Sequence, residues 1–299
     1  LLLFIYVLAF MGFGVKAAIC PFNSWLPQAG VAPTPVTALL HAVAVVKAGA
    51  FAIMRLTYYS FGMDFLCGTW AQYLLMGIVI FTIVYGCSMA VKETHIKRRL
   101  AYSTISNLSY ILFGVVIMTP MGLVGALCHM VFHGIMKICS FFCAGAMMTQ
   151  AHAVYVYELD GMAKKMPKVF AVFTVSALAL MGVPGLCGFV SKWNLAKAAF
   201  LSGNLLAVVG VGGLLLSALL TAIYMLTIVI RAYVPGSDFE KSVQAKQGGF
   251  TQYNDTKRVT DPDWRMLFPL ILFAVAMFVI GVYSEPFVAF FTQVAEGLL

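Results

Sequence analysis

Long apolar runs separated by short polar joints make up nearly the whole chain. Eight such stretches stand out, at roughly 1–20, 35–57, 70–91, 100–118, 122–149, 168–200, 204–232 and 266–284. A helix needs about 20 predominantly apolar residues to cross the hydrocarbon core of a bilayer, and each stretch is of that order or longer. The ~10-residue alternating segments of a transmembrane barrel do not occur in the sequence. The pattern therefore predicts an all-α polytopic membrane protein with about eight transmembrane helices. They would form a single membrane domain over 1–299, with a polar loop at 233–265 and a short interfacial segment at 285–299.

Two of the stretches carry helix breakers. MGVPGLCGFVSK crowds Gly182, Pro184, Gly185 and Gly188 into the middle of 168–200, and FGVKAAICPFNSWLPQAG places Gly14, Pro21 and Pro27 around Lys16. Proline removes a backbone donor and glycine loosens the ladder, so two helices broken within the membrane are expected. Both breaks pair a lysine with a tryptophan: Lys16 with Trp25, and Lys192 with Trp193. Broken helices in corresponding places are what internal transporter repeats produce.

Composition strengthens this picture. Of the 299 residues, 62% are hydrophobic and only 10% charged, against about 25% charged in a soluble domain. The formal charge of +8 fits basic loops on one membrane face better than nucleic-acid binding. With eight spans, the joints near 21–34, 92–99, 150–167 and 233–265 share a side and carry thirteen of the nineteen lysines and arginines; the other side has Arg55 and Lys197. Basic loops stay inside, so the rich side is expected to be cytoplasmic, in a bacterial or archaeal plasma membrane, with both chain ends on the far side. The seven cysteines show no metal-finger spacing and read as small packing residues. The opening LLLFIYVLAF has no basic flank, and the natural chain is expected to continue upstream.

The remaining basic residues, Lys16, Lys47, Lys137 and Lys192, fall inside the apolar stretches, and none of the eleven acidic residues does. A mid-span lysine costs about 2.5–3.5 kcal/mol on insertion scales, so four cost roughly 10–14 kcal/mol. Snorkelling to an interface is the simple alternative for Lys16 and Lys192. Lys47 and Lys137 have apolar sequence on both sides. His41, His129 and His133 also lie in spans, and CHMVFHGIMK sets His129, His133 and Lys137 four apart. Each step of four turns only about 40° and climbs about 6 Å, so the three form one file on one helix face, better explained as a proton relay than as three separate core residues. A zinc site is the competing idea, but no glutamate follows the first histidine and no third ligand is near. LAYSTISNLSY adds Tyr102, Ser103, Thr104, Ser106, Asn107 and Ser109, residues that serve either helix packing or the lining of a proton path.

These motifs carry a family resemblance. GVKAAICPFNSWLPQAGVAPTPVTALLHAVAVVKAG, IKRRLAYSTISNLSY, HMVFHGIMK, DGMAKKMP and GVPGLCGFVSKW, in that order, resemble the antiporter-like membrane subunits of respiratory complex I, membrane-bound hydrogenases and Mrp-type cation/proton antiporters. The resemblance covers nearly all of the chain and implies the last eight spans of an inverted-repeat, fourteen-helix fold. It implies that Lys16 is the lysine of the first broken helix, paired with a glutamate upstream of residue 1. Lys47 would be the central lysine, His41 a histidine of the same helix, and Lys97 the lysine coupling two half-channels. His129, His133 and Lys137 would form the relay helix, and Lys192 would be the terminal lysine from which the proton leaves. The short segment after the last span is unlike the long lateral helix of the distal complex I subunit.

The implied function is proton translocation within a membrane-bound redox complex of the NADH:quinone oxidoreductase or hydrogenase type. The subunit itself would bind no redox cofactor and no metal. Its partners would be other membrane subunits, the lipid bilayer and protons, with sodium as a possible coupling ion. The alternatives are a subunit of an Mrp-type sodium/proton antiporter without redox partners, and a membrane scaffold that has lost transport.

Overall fold

A computed structural model describes residues 1–234 and 259–297. The regular structure among the described residues is helical, apart from one isolated antiparallel bridge between His95 and Tyr155. In chain order the α-helices are α1 (Leu2–Lys16), α2 (Trp25–Gln28), α3 (Thr34–Ala42), α4 (Val45–Arg55), α5 (Met63–Leu66), α6 (Trp70–Lys92), α7 (Ile96–Val116), α8 (Pro120–Ala151), α9 (Pro167–Met181), α10 (Cys187–Leu201), α11 (Leu205–Tyr233), α12 (Trp264–Val282) and α13 (Glu285–Glu296). Several start at side-chain caps that satisfy the first free N–H groups. Thr69 accepts from Gln72 N, Thr119 from Gly122 N and Asn204 from Leu206 N.

α7 sits at the centre. It packs against α4, α6, α8 and α11, and nearly every side chain from Leu100 to Val116 is buried. α8 crosses beside it, with 32 residues. At 1.5 Å per residue that is about 48 Å, longer than the ~30 Å hydrocarbon core. α11 and α12 turn large apolar side chains outward, among them Leu215, Leu219, Leu272 and Phe278, as a lipid-facing wall requires.

Among the described residues, five helical segments are long and apolar enough to cross a bilayer: 34–61, α6, α8, α11 and α12. α1 and α9 are apolar but shorter. The count of eight spans therefore stays an expectation, and the local reasons are visible. α7 opens on Lys97, Arg98 and Arg99, and the 168–200 stretch is divided into two helices of 15 residues each. The break is built by glycine. Gly182 ends α9 in the left-handed region, at φ 93°, and a Cβ on Gly188 would strike the carbonyl oxygen of Ala179. The other expected break is also present: α1 stops at Lys16, and the short α2 and a 3-10 turn at Ala29–Val31 precede α3.

The polar joints gather at one end of the bundle. Gly161 N donates to Arg231 O at 3.0 Å, and Arg231 pairs with Asp160 at 3.5 Å. Asp261 accepts the Lys168 and Val169 N–H groups at 3.2 Å each, capping the start of α9. Lys97 reaches Ala32 O at 3.0 Å and ties the segment before α3 to the same end. Residues 235–258 of the expected 233–265 loop lie outside the described residues. At the chain's end α13 packs on α8, with Phe287 and Phe291 each 6.3 Å from Phe132 ring to ring.

Candidate functional site

The helix bearing Lys47 is not continuous. Ala44 N donates to Leu39 O at 2.9 Å, a step of five residues, while Val43 N also reaches Leu39 O at 3.1 Å. This is a π-type bulge between α3 and α4, a feature that often marks functional sites. No proline or glycine announces it in HAVAVVK. Lys47 stands just past the bulge in the first turn of α4 and is buried. Its ammonium donates to Met130 O at 2.8 Å and lies 3.0 Å from His133 Nδ1.

The three groups predicted on one face of α8 are all fully buried, but they reach different partners. His133 faces Lys47. The His129 ring stacks on that of His133, with centroids 5.7 Å apart at 18°, and its Nδ1 lies 2.9 Å from Ser191 Oγ on α10. Among the described residues the Nε2 atoms of both histidines find no hydrogen-bonding partner. Lys137 turns instead towards α7, donating to Leu100 O at 2.9 Å and Ser103 Oγ at 2.8 Å. Tyr224 OH on α11 donates to the same Ser103 Oγ at 2.6 Å. The file is thus one in sequence spacing and two in chemistry: an imidazole pair around Lys47, and a hydroxyl cluster around Lys137.

Lys192 uses the broken helix. A helix leaves its last four carbonyls without intrahelical partners. At the end of α9, those of Leu178 and Ala179 are taken by the Gly182 and Val183 N–H groups. Those of Leu180 and Met181 are taken by Lys192 Nζ, at 2.6 and 3.1 Å. A cation at a helix C-terminus is also favoured by the helix dipole. The ammonium stands 5.2 Å from the centroid of the Tyr110 ring, and that ring meets His129 edge-on at 5.2 Å. Lys192, Tyr110, His129 and Ser191 therefore form one neighbourhood.

The remaining expected site residues lie apart. Lys97 holds Ala32 O at the polar end of the bundle. Lys16 is exposed at the end of α1 and takes part in none of the hydrogen bonds above. His41 is buried and stacks on Phe141 at 5.0 Å, with neither ring nitrogen hydrogen-bonded among the described residues. Within 102–110, Thr104, Asn107 and Ser109 bond carbonyls of their own helix, which is the packing role. Ser103 and Ser106 reach other helices.

Several contributors escaped the sequence reading: Ser191, Tyr110, Cys87 and the α11 residues Ser217, Thr221 and Tyr224. The last three carried a readable signal, because spacings of four and three put them on one face of an apolar helix. Arg99 also differs from its reading as a loop charge. It is buried, and it donates to Glu93 O at 2.7 Å and Tyr224 O at 3.0 Å. Among the described residues no three histidine, cysteine or acidic side chains form a metal-binding group.

The sequence profile of the family described as NADH:quinone oxidoreductase/Mrp antiporter, transmembrane region, matches residues 1–220. The chain is 31% identical over 290 residues to NADH-quinone oxidoreductase subunit N of Desulforudis audaxviator, covering 95% of this chain and 55% of that protein. It is 30% identical over 310 residues to NAD(P)H-quinone oxidoreductase chain 4-3 of Nostoc sp., covering 95% of this chain and 53% of that one. In fold it is similar to a chain of the Mrp complex from Dietzia sp., with a TM-score of 0.84 at 22% identity, covering 98% of this chain and 59% of that chain. The chain thus spans little more than half the length of these relatives.

Proposed function

Because this chain belongs to the NADH:quinone oxidoreductase/Mrp antiporter transmembrane family, we propose that it is the proton-translocating part of a multi-subunit, energy-converting membrane complex. Protons would pass through the buried lysines and histidines. The observation that carries this reading is the Lys47–His133 contact of 3.0 Å inside the bundle. An ammonium in hydrocarbon is costly, and here it faces an imidazole nitrogen able to accept its proton. Loss of the proton by Lys47 and its gain by His133 leave the charge of the pair unchanged. His129 extends the route towards Tyr110 and Lys192, at the break between α9 and α10. Lys137 forms a second station.

Lys97 and Lys16 are assigned coupling roles at the edges of this core: Lys97 at the polar end, and Lys16 as the exposed lysine that meets a neighbouring segment. His41, stacked on Phe141, stands outside the hydrogen-bonded route. The end of the bundle where the polar joints meet is assigned to the cytoplasmic face, on the strength of its basic loops. Moving one proton against 100 mV takes about 2.3 kcal/mol, a small sum beside the insertion cost of these lysines.

The test is proton movement by the intact complex reconstituted in vesicles. Lys47→Ala and Lys137→Ala are expected to insert and assemble but to lose coupled proton movement. Unchanged movement in both variants would sink the relay. The family's description covers redox-driven and Mrp-type members alike, and we favour the redox-driven one. Iron–sulfur signals by low-temperature electron paramagnetic resonance in the purified native complex are the expected result. A clean complex without them would move the assignment to an antiporter driven by ion gradients.

A further inference from the structure

Lys137 contributes no hydrogen bond to the imidazole pair; its side-chain contacts lead elsewhere. Ser103 Oγ, which accepts from Lys137 at 2.8 Å, also accepts from Tyr224 OH at 2.6 Å. Tyr224 OH lies 3.2 Å from Thr221 Oγ1, which lies 3.7 Å from the Cys87 thiol. That thiol lies 2.9 Å from Ser217 Oγ, and Ser106 Oγ is 3.0 Å from the same oxygen. Tyr110 OH closes the series, donating to Ser217 Oγ at 2.7 Å. All seven side chains are fully or almost fully buried.

The series has a regular build. Ser103, Ser106 and Tyr110 line one face of α7, and Tyr224, Thr221 and Ser217 line the facing stripe of α11, met in the opposite chain direction. Seven residues of α7 at 1.5 Å each give it a length of about 10 Å. It starts beside Lys137 and ends at Tyr110, whose ring carries Lys192. α11 also holds Thr227, which is half-buried and donates to Ile223 O of its own helix, apart from the inward stripe.

We infer that this file of hydroxyls, supplied by α7 and α11 and completed by the Cys87 thiol, carries protons between Lys137 and Lys192, parallel to the histidine pair. The inference rests on the proton-translocating reading above. A hydroxyl both donates and accepts. Lys137 breaks one N–H bond and gives the proton to Ser103. Tyr224 and Tyr110, which donate to Ser103 and Ser217, first turn so that those serines donate to them; each group of the file then takes one proton and passes on its own, so each ends neutral. The amine form of Lys192 forms the new N–H bond, its flexible four-carbon stem turning Nζ from the face of the Tyr110 ring to its hydroxyl. The hydroxyls then turn back. α11 is in this way both a lipid-facing wall and one side of the path.

Substitutions that delete oxygen without changing shape test this in the intact, reconstituted complex. Tyr224→Phe, Ser217→Ala and Thr221→Val are each expected to slow coupled proton movement by at least about fivefold, the size of one lost hydrogen bond. Thr221→Ser, which keeps the hydroxyl, should stay within about twofold of the parent rate. That rescue separates a conducting role from packing, because valine reproduces the shape of threonine and serine does not. Tyr224→Phe and Ser217→Ala at full rate, with Lys137→Ala inactive, would overturn the file and leave the relay standing. Should Tyr224→Phe fail to assemble, the Thr221→Val and Thr221→Ser pair decides alone, and equal rates in the two would overturn the inference. Full proton movement in Lys47→Ala and Lys137→Ala would instead reject the functional reading on which it rests.

Discussion

Lys47 and Lys137 are both buried lysines in apolar helices, yet their surroundings differ in kind. Lys47 meets a carbonyl and an imidazole; Lys137 meets a carbonyl and a hydroxyl shared with a tyrosine. An imidazole that accepts a proton becomes a cation in its own right. A serine or tyrosine hydroxyl can only pass one along, since it donates and accepts at once. On the proposed function, the Lys47 region would carry a proton as an imidazolium and the Lys137 region through neutral hydroxyls. One helix, α8, supplies a member to both.

Removing either lysine should have the largest effect. Lys47→Ala and Lys137→Ala are each expected to lower coupled proton movement by about 100-fold, within the range of a positioned proton-transfer group, as measured by pH-sensitive dye in vesicles. His133→Gln comes next and acts on the Lys47 region alone. A hydrogen bond to a charged group is worth about 1.5–3 kcal/mol, so a rate loss of about tenfold or more is expected. Ser191→Ala removes the neutral partner of His129 Nδ1 and should cost about fivefold in the same assay. His41→Phe should be nearly silent, with a rate change below about twofold and a change in stability below about 1.5 kcal/mol by thermal melting in detergent, as for a shape-conserving swap. A large loss from His41→Phe would place that ring in the path and break the division between the two regions.

The charged and titratable positions were legible in the sequence because a lysine or histidine is costly in an apolar run, although snorkelling remained open for Lys16 and Lys192. The broken helix at 182–188 was legible for a similar reason: glycine and proline punctuate it, and Gly188 is needed where α10 passes the Ala179 carbonyl. The pairing was not legible. Lys47 and His133 are 86 positions apart, and helical spacing gives the face a residue occupies, not the helix that faces it. Spacing also could not separate Lys137 from His133, since a long flexible stem can leave the line of its Cα atoms. The bulge at Ala44 carries no breaker residue, and Lys47 stands just past it. The stripe of Ser217, Thr221 and Tyr224 was readable but masked by the strong apolar character of its helix.

The most direct measurement replaces Lys47 by arginine in the intact complex and follows proton movement. Arginine keeps the positive charge and the capacity to donate to Met130 O and His133, but it does not release its proton in proteins. If Lys47 works by exchanging a proton, Lys47→Arg will assemble normally and translocate as poorly as Lys47→Ala. Proton movement near the parent rate in Lys47→Arg would show that a fixed charge suffices there, and would contradict the relay.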